Sequence, residues 1–120
     1  MKKIFLAAVI LAIAAFSNAP KQQPKLGVQF WTFHKFTLLQ AIDKTNSAGL
    51  RYAEAYPGQK VSDVINKPFN YLLTTEARTE VKNYLRSKKV KIIALGVIDK
   101  YYYTKENIEA YFAFAKDMQI

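Results

Sequence analysis

The chain has one tryptophan and one histidine, and they stand three residues apart in "LGVQFWTFHKF", residues 26–36. A tryptophan offers a flat apolar face with one polar edge, a surface on which a sugar ring can stack. A histidine beside it offers a proton donor or acceptor near neutral pH. Further on, "RYAEAY" (residues 51–56) carries Glu54 in the middle of a short strand pattern. A carboxylate turned inward near a strand end is costly unless a cation, a metal or a substrate hydroxyl satisfies it. Each residue also has a plainer reading. Trp31 would serve core packing, His34 would be a solvated loop residue, and Glu54 would pair with a lysine or arginine. Tyr101-Tyr102-Tyr103 would either wall the same pocket or cover helix ends. There is no GxSxG, no phosphate-binding glycine loop, no HExxH and no EF-hand spacing.

Three strands and three helices are needed to bring these groups together. The first strand is predicted over Leu26–Phe33. Alternation puts Gln29, Trp31 and Phe33 on one face and Val28, Phe30 and Thr32 on the other. A polar Gln29 fits an interior floor better than the underside of an apolar helix, so its face is assigned inward. The second strand, Arg51–Tyr56, sets Tyr52, Glu54 and Tyr56 opposite Ala53 and Ala55, whose small side chains suit close helix packing. Pro57-Gly58 stops it. Gln59 to Leu73 has no period, and a connection of that size is usually functional or mobile. Lys91–Ile98 is a third strand, a run expected to be buried on both sides.

The helices announce their own starts. Thr37 with Gln40 three residues later makes a capping box. Leu38, Leu39, Ile42, Thr45 and Ala48 then face inward, and Gly49 suits a left-handed stop. Thr75 is read as the cap of a second helix with Ala77, Val81, Tyr84 and Leu85 along one side. Thr104 opens a third, with Ile108, Tyr111, Phe112, Ala115 and Met118 as its apolar side. Three strand–helix units in series predict an α/β fold with a parallel sheet and right-handed crossovers.

The first nineteen residues read as an address and not as fold. Lys2 and Lys3 precede an apolar run from Ile4 to Phe16, shorter than the roughly 20 residues a spanning helix needs. That pattern fits a signal peptide over 1–19, with an uncleaved anchor as the other reading. Residues 20–25 form a linker. The expectation is an exported protein, periplasmic or extracellular, with no membrane contact after cleavage. It has no cysteine, so stability must come from burial and not from disulfides.

The formal net charge is +9. Without Lys2 and Lys3, 16 Lys+Arg stand against 9 Asp+Glu, a net +7. The one basic cluster, Lys82, Arg86, Lys88, Lys89 and Lys91, falls late in a predicted helix, where cations complement the dipole. The remaining basic residues are spread along the chain, so no nucleic-acid partner is expected.

"KLGVQFWTF", "AGLRYAEAYPGQKV", "KKVKIIALGVI" and "NIEAYFAFAKDMQI", in this order and spacing, resemble the first three units of the sugar phosphate isomerase/epimerase family. Its members are (β/α)₈ TIM barrels of the xylose isomerase-like superfamily. The family often has a glycine where this chain has Gln119. The resemblance makes residues 26–120 the N-terminal part of such a domain, an incomplete barrel, since a whole barrel runs to roughly 250 residues. It implies that an intact member is a divalent-metal-dependent isomerase or epimerase (Mn, Mg, Co or Zn) whose ligands and acid–base glutamates come mostly from later strands. For this chain it implies no catalytic residue, no metal ligand and no bound metal of its own. It implies substrate-facing residues only: Gln29, Trp31, His34, Glu54 and Tyr56, for a small carbohydrate or sugar phosphate. The chain by itself would be inactive. The alternative is a non-catalytic carbohydrate-binding half-barrel, self-associating through open sheet edges.

Overall fold

The computed structural model describes residues 24–99 and 104–120. The signal-peptide reading of residues 1–19, residues 20–23 of the linker, and Tyr101 to Tyr103 lie outside them. Three strands, β1 (Gly27–Gln29), β2 (Tyr52–Ala55) and β3 (Lys91–Leu95), pair in parallel in the order β1-β2-β3. Helices α1 (Leu38–Ser47), α2 (Thr75–Ser87) and α3 (Lys105–Met118) each follow one strand. Among the described residues the sheet is open. No helix among them is long and apolar enough to cross a membrane.

The core lies on the helix-covered face. Phe30, just past β1, and Ala53, Ala55 and Ile92 of the strands meet Leu38, Ala41 and Ile42 of α1, Val81 and Leu85 of α2, and Phe114 and Met118 of α3, all buried. Burying such side chains is worth about 1.5–3 kcal/mol each for the larger ones. Thr45, buried among them, hydrogen-bonds its hydroxyl to the Ala41 carbonyl at 2.8 Å and so leaves no orphaned polar atom.

Helix ends follow simple rules. The Thr37–Gln40 capping box is complete, and the first two amides of α1 donate to the carbonyls of Lys60 and Val61. The cap of α2 is Thr74, one residue before the expected Thr75. The cap of α3 is Thr104, as its sequence suggests. All three helices close on a left-handed residue, at Gly49, Lys89 and Gln119. The amides of Leu50, Val90 and Ile120 then reach back to Thr45, Leu85 and Ala115, the Schellman arrangement. Gln119 therefore occupies a backbone conformation that favours glycine.

Three further expectations are corrected. The first strand ends at Gln29 and not at Phe33, because Phe30–Phe33 winds into a 3₁₀ turn. The turn cancels the alternation, and Phe33 packs against the core instead of facing inward. The third strand ends at Leu95 and not at Ile98. It is covered on one face only, with Lys91 and Ile93 exposed, since no further layer lies over its open face among the described residues. The apolar side of α3 is rotated: Ile108 (43 % exposed) and Phe112 (74 %) face out, while the buried stripe is Tyr111, Phe114 and Met118, spaced at three and four residues. The stretch Gln59 to Leu73, read from the sequence as functional or mobile, is held within the packed unit. Val61, Phe69 and Leu73 are core residues, and an antiparallel bridge joins Lys60 to Pro68.

One irregularity in β3 matters for the site. Ala53 pairs with Ile92 but Glu54 pairs with Ala94, so Ile93 is an extra residue, a β-bulge. The bulge shifts the alternation by one. Leu95 returns to the core face, and Gly96 comes to lie beside the Glu54 carboxylate.

Candidate functional site

In a parallel sheet with helices behind it, ligands bind beyond the carboxyl ends of the strands. A cavity of about 680 Å³ opens there, with Gln29, Trp31, Tyr56, Asn70, Asp99 and Tyr111 among its lining. Its floor is the open face of the sheet. Gln29 and Glu54 are direct neighbours in the β1–β2 register, and the Gln29 Nε2 donates to Glu54 Oε1 at 2.9 Å. A Cβ at position 96 would come within 2.6 Å of that same oxygen, so the glycine leaves the carboxylate its space. Among the described residues no lysine or arginine pairs with Glu54. Its partner is a neutral amide, and this departs from the ion-pair reading of the sequence.

The aromatic wall rests on the 3₁₀ turn. Trp31, 59 % exposed, meets Tyr56 edge-on at 5.1 Å and His34 in a stack at 5.3 Å. His34 Nδ1 lies 2.8 Å from the Trp31 carbonyl oxygen, a contact that closes the turn. Burial pushes the Tyr56 hydroxyl above its usual value, which keeps it a neutral donor at physiological pH. Of the five residues expected from sequence, Gln29, Trp31 and Tyr56 line the cavity. Glu54 sits beneath it through Gln29. His34 supports Trp31 from behind and is not in the lining.

The residues that sequence reasoning missed come from the loop after β2 and from α3. Gln59 is buried, and its Nε2 donates to the Phe36 carbonyl at 3.1 Å and, more loosely, to that of Phe33 at 3.4 Å. It ties the second loop to the turn that carries Trp31. Asn70 accepts the Leu72 amide on its Oδ1 at 2.9 Å, which leaves its amide nitrogen to the pocket. Tyr111 packs edge-on against Tyr71 at 4.8 Å, whose hydroxyl donates to Asn107 of the same helix. A usable signal existed for Asp99, which follows directly on the third strand run. None existed for Tyr111, whose place depends on how α3 is rotated.

The basic cluster has its own partners. Lys88 pairs with Asp43 at 2.7 Å and Lys82 with Asp117 at 2.8 Å. These pairs clamp α2 to α1 and to α3.

No protein-family model matches the chain, and no curated protein matches it significantly. Among solved structures it is similar to an uncharacterised protein from Parabacteroides distasonis ATCC 8503, with 34% sequence identity and a TM-score of 0.72 over 78% of this chain. The chain spans 39% of the length of that structure.

Proposed function

We propose that residues 26–120 form the first part of the substrate pocket of an exported sugar isomerase or epimerase, and that they bind carbohydrate without turning it over. The observation that carries this is the placement of an exposed aromatic pair, Trp31 and Tyr56, over the hydrogen-bonded Gln29–Glu54 floor at the carboxyl ends of the strands. A sugar presents an apolar ring face and a belt of hydroxyls, and the pocket offers one surface for each. The resemblance in "KLGVQFWTF" and "AGLRYAEAYPGQKV", and the longer solved structure of which this chain spans 39%, support a larger domain around the same pocket.

Isomerisation moves a proton or hydride between neighbouring carbons and calls on paired acid–base groups. Beside Glu54 stands an amide, Gln29, and not a second carboxylate. A divalent metal, when bound in an intact relative, would polarise sugar oxygens. Among the described residues no three His, Cys, Asp or Glu side chains come together, and Glu54 could lend such a metal a single ligand.

Isothermal titration of the purified chain with neutral pentoses and hexoses tests the reading. Saturable heat, lost in Trp31→Ala, is expected, with no sugar interconversion when manganese is added. Absence of binding to every sugar overturns the carbohydrate assignment. Turnover by the 120 residues overturns the division of binding from chemistry.

A further inference from the structure

We infer that this pocket selects uncharged sugars and discriminates against their phosphate esters. This rests on the carbohydrate reading above and goes beyond it. The family label leaves the phosphate open, and the composition points the other way, because a chain with net charge +9 would ordinarily be expected to welcome an anion. The distribution of that charge is what decides.

No lysine or arginine stands among the described residues that line the cavity. Basic side chains gather instead at the other end of the sheet, where Lys82, Arg86, Lys89 and Lys91 surround a smaller hollow of about 350 Å³ beside the start of β3. The floor of the pocket is anionic. Glu54 has only the Gln29 amide for company among the described residues, and an amide does not neutralise a carboxylate.

Hydrogen-bond polarity points the same way. Gln29 must turn its nitrogen to the carboxylate, because an ionised carboxylate only accepts. Its own Oε1 therefore points away from Glu54 as a second acceptor. The floor thus asks its ligand for protons. A neutral sugar hydroxyl donates one and can still accept from the Tyr56 hydroxyl or the Asn70 amide. A phosphate ester at neutral pH carries nearly two negative charges and offers only acceptor oxygens. Set over this floor, it meets acceptor against acceptor and like charge against like charge.

Gly96 sharpens the point. Its missing side chain gives the Glu54 carboxylate room on the open face, so the charge stays at the floor. The same chemistry would apply to any ligand rich in hydroxyls and free of anionic groups.

The test uses the intrinsic fluorescence of Trp31, the chain's one tryptophan. The full chain is titrated with xylose, glucose and mannose, and in parallel with the terminal phosphate ester of each, at low salt. The neutral sugars are expected to give a saturable change, and the esters to bind at least about tenfold more weakly, a scale set by one or two charge contacts at a partly solvated site. Glu54→Gln should narrow that ratio to less than about threefold, since it keeps the shape and removes the charge. Esters that bind as tightly as the neutral sugars overturn the selectivity and leave the carbohydrate reading standing. A ratio unmoved by Glu54→Gln overturns Glu54 as its source. No response to any of the six ligands, checked by ligand-observed nuclear magnetic resonance, overturns both.

Discussion

The two faces of the three-stranded sheet are built from the same short strands and meet different fates. On the helix side Ala53, Ala55 and Ile92 are buried, and loop and helix residues such as Phe69 and Phe114 close over them. On the other side Tyr52 and Glu54 keep partial access and Gln29 is exposed. Alternation alone separates the two sets. The lesson is that polar residues at strand ends are tolerated here because no layer of the described residues covers them, and that this is also where a ligand can reach them.

If the helix side carries the stability, the largest effect should come from Phe69. It is fully buried and meets Phe114 edge-on at 5.1 Å. Phe69→Ala should cost about 3–5 kcal/mol, read as a fall in the urea midpoint. A loss under 1 kcal/mol would mean that the second loop is not part of the core. Next comes Arg78. Its guanidinium donates to the carbonyls of Tyr71 and Leu73, reaches Asp117, and stacks near Phe114. Arg78→Ala removes donors from partly buried carbonyls and should cost about 2 kcal/mol, whereas Arg78→Lys should restore less than half.

A smaller effect belongs to the ion pairs that clamp the helices. The Lys82 ammonium, helped by Arg78, holds the Asp117 carboxyl below its usual value against the opposing effect of burial. Burial pushes Asp43 up, but Lys88 and the Tyr84 hydroxyl together outweigh it and leave the carboxyl lowered. Groups depressed in the folded state add stability that is present at neutral pH. It is lost as pH falls below the ordinary aspartate value and through the folded ones. Urea midpoints followed downward from about pH 6 should therefore decline most steeply below about pH 4. The Asp43→Asn/Asp117→Asn variant should show a flatter decline. Equal slopes would remove these pairs from the account.

The smallest stability effect should come from the open face. Glu54→Gln should change the midpoint by less than about 0.5 kcal/mol, although it alters what the pocket holds. A large loss there would erase the distinction between the two faces.

Much of this was legible in the sequence where a local rule fixes the outcome. Thr37 with Gln40, the glycine at 49 and the cap at Thr104 act within one helical turn, and the parity of Ala53, Glu54 and Ala55 needs only neighbours. What could not be read depends on contacts distant in sequence. Phe30–Phe33 has the aromatic and β-branched composition of a strand, yet Gln59 holds the carbonyls of Phe33 and Phe36 in a turn. Ile108 and Phe112 look as apolar as Phe114, and only the packing of α3 against Phe69 and Arg78 decides which side is buried. Asn70 and Tyr111 enter the site from elements whose relative placement no periodicity records.

The extra residue in β3 works like a comma in a sentence read two letters at a time. Iron out the bulge with Ile93 kept, and every later position changes its meaning: Leu95 would be spelled onto the polar floor, and Gly96 would leave Glu54 for the crowded side. Deleting Ile93 instead closes the strand up in register, with Ala94 still opposite Glu54 and Leu95 still opposite Ala55. A lineage of such chains can therefore vary the letter at position 93, or drop it, without moving Leu95 or Gly96 to the other face.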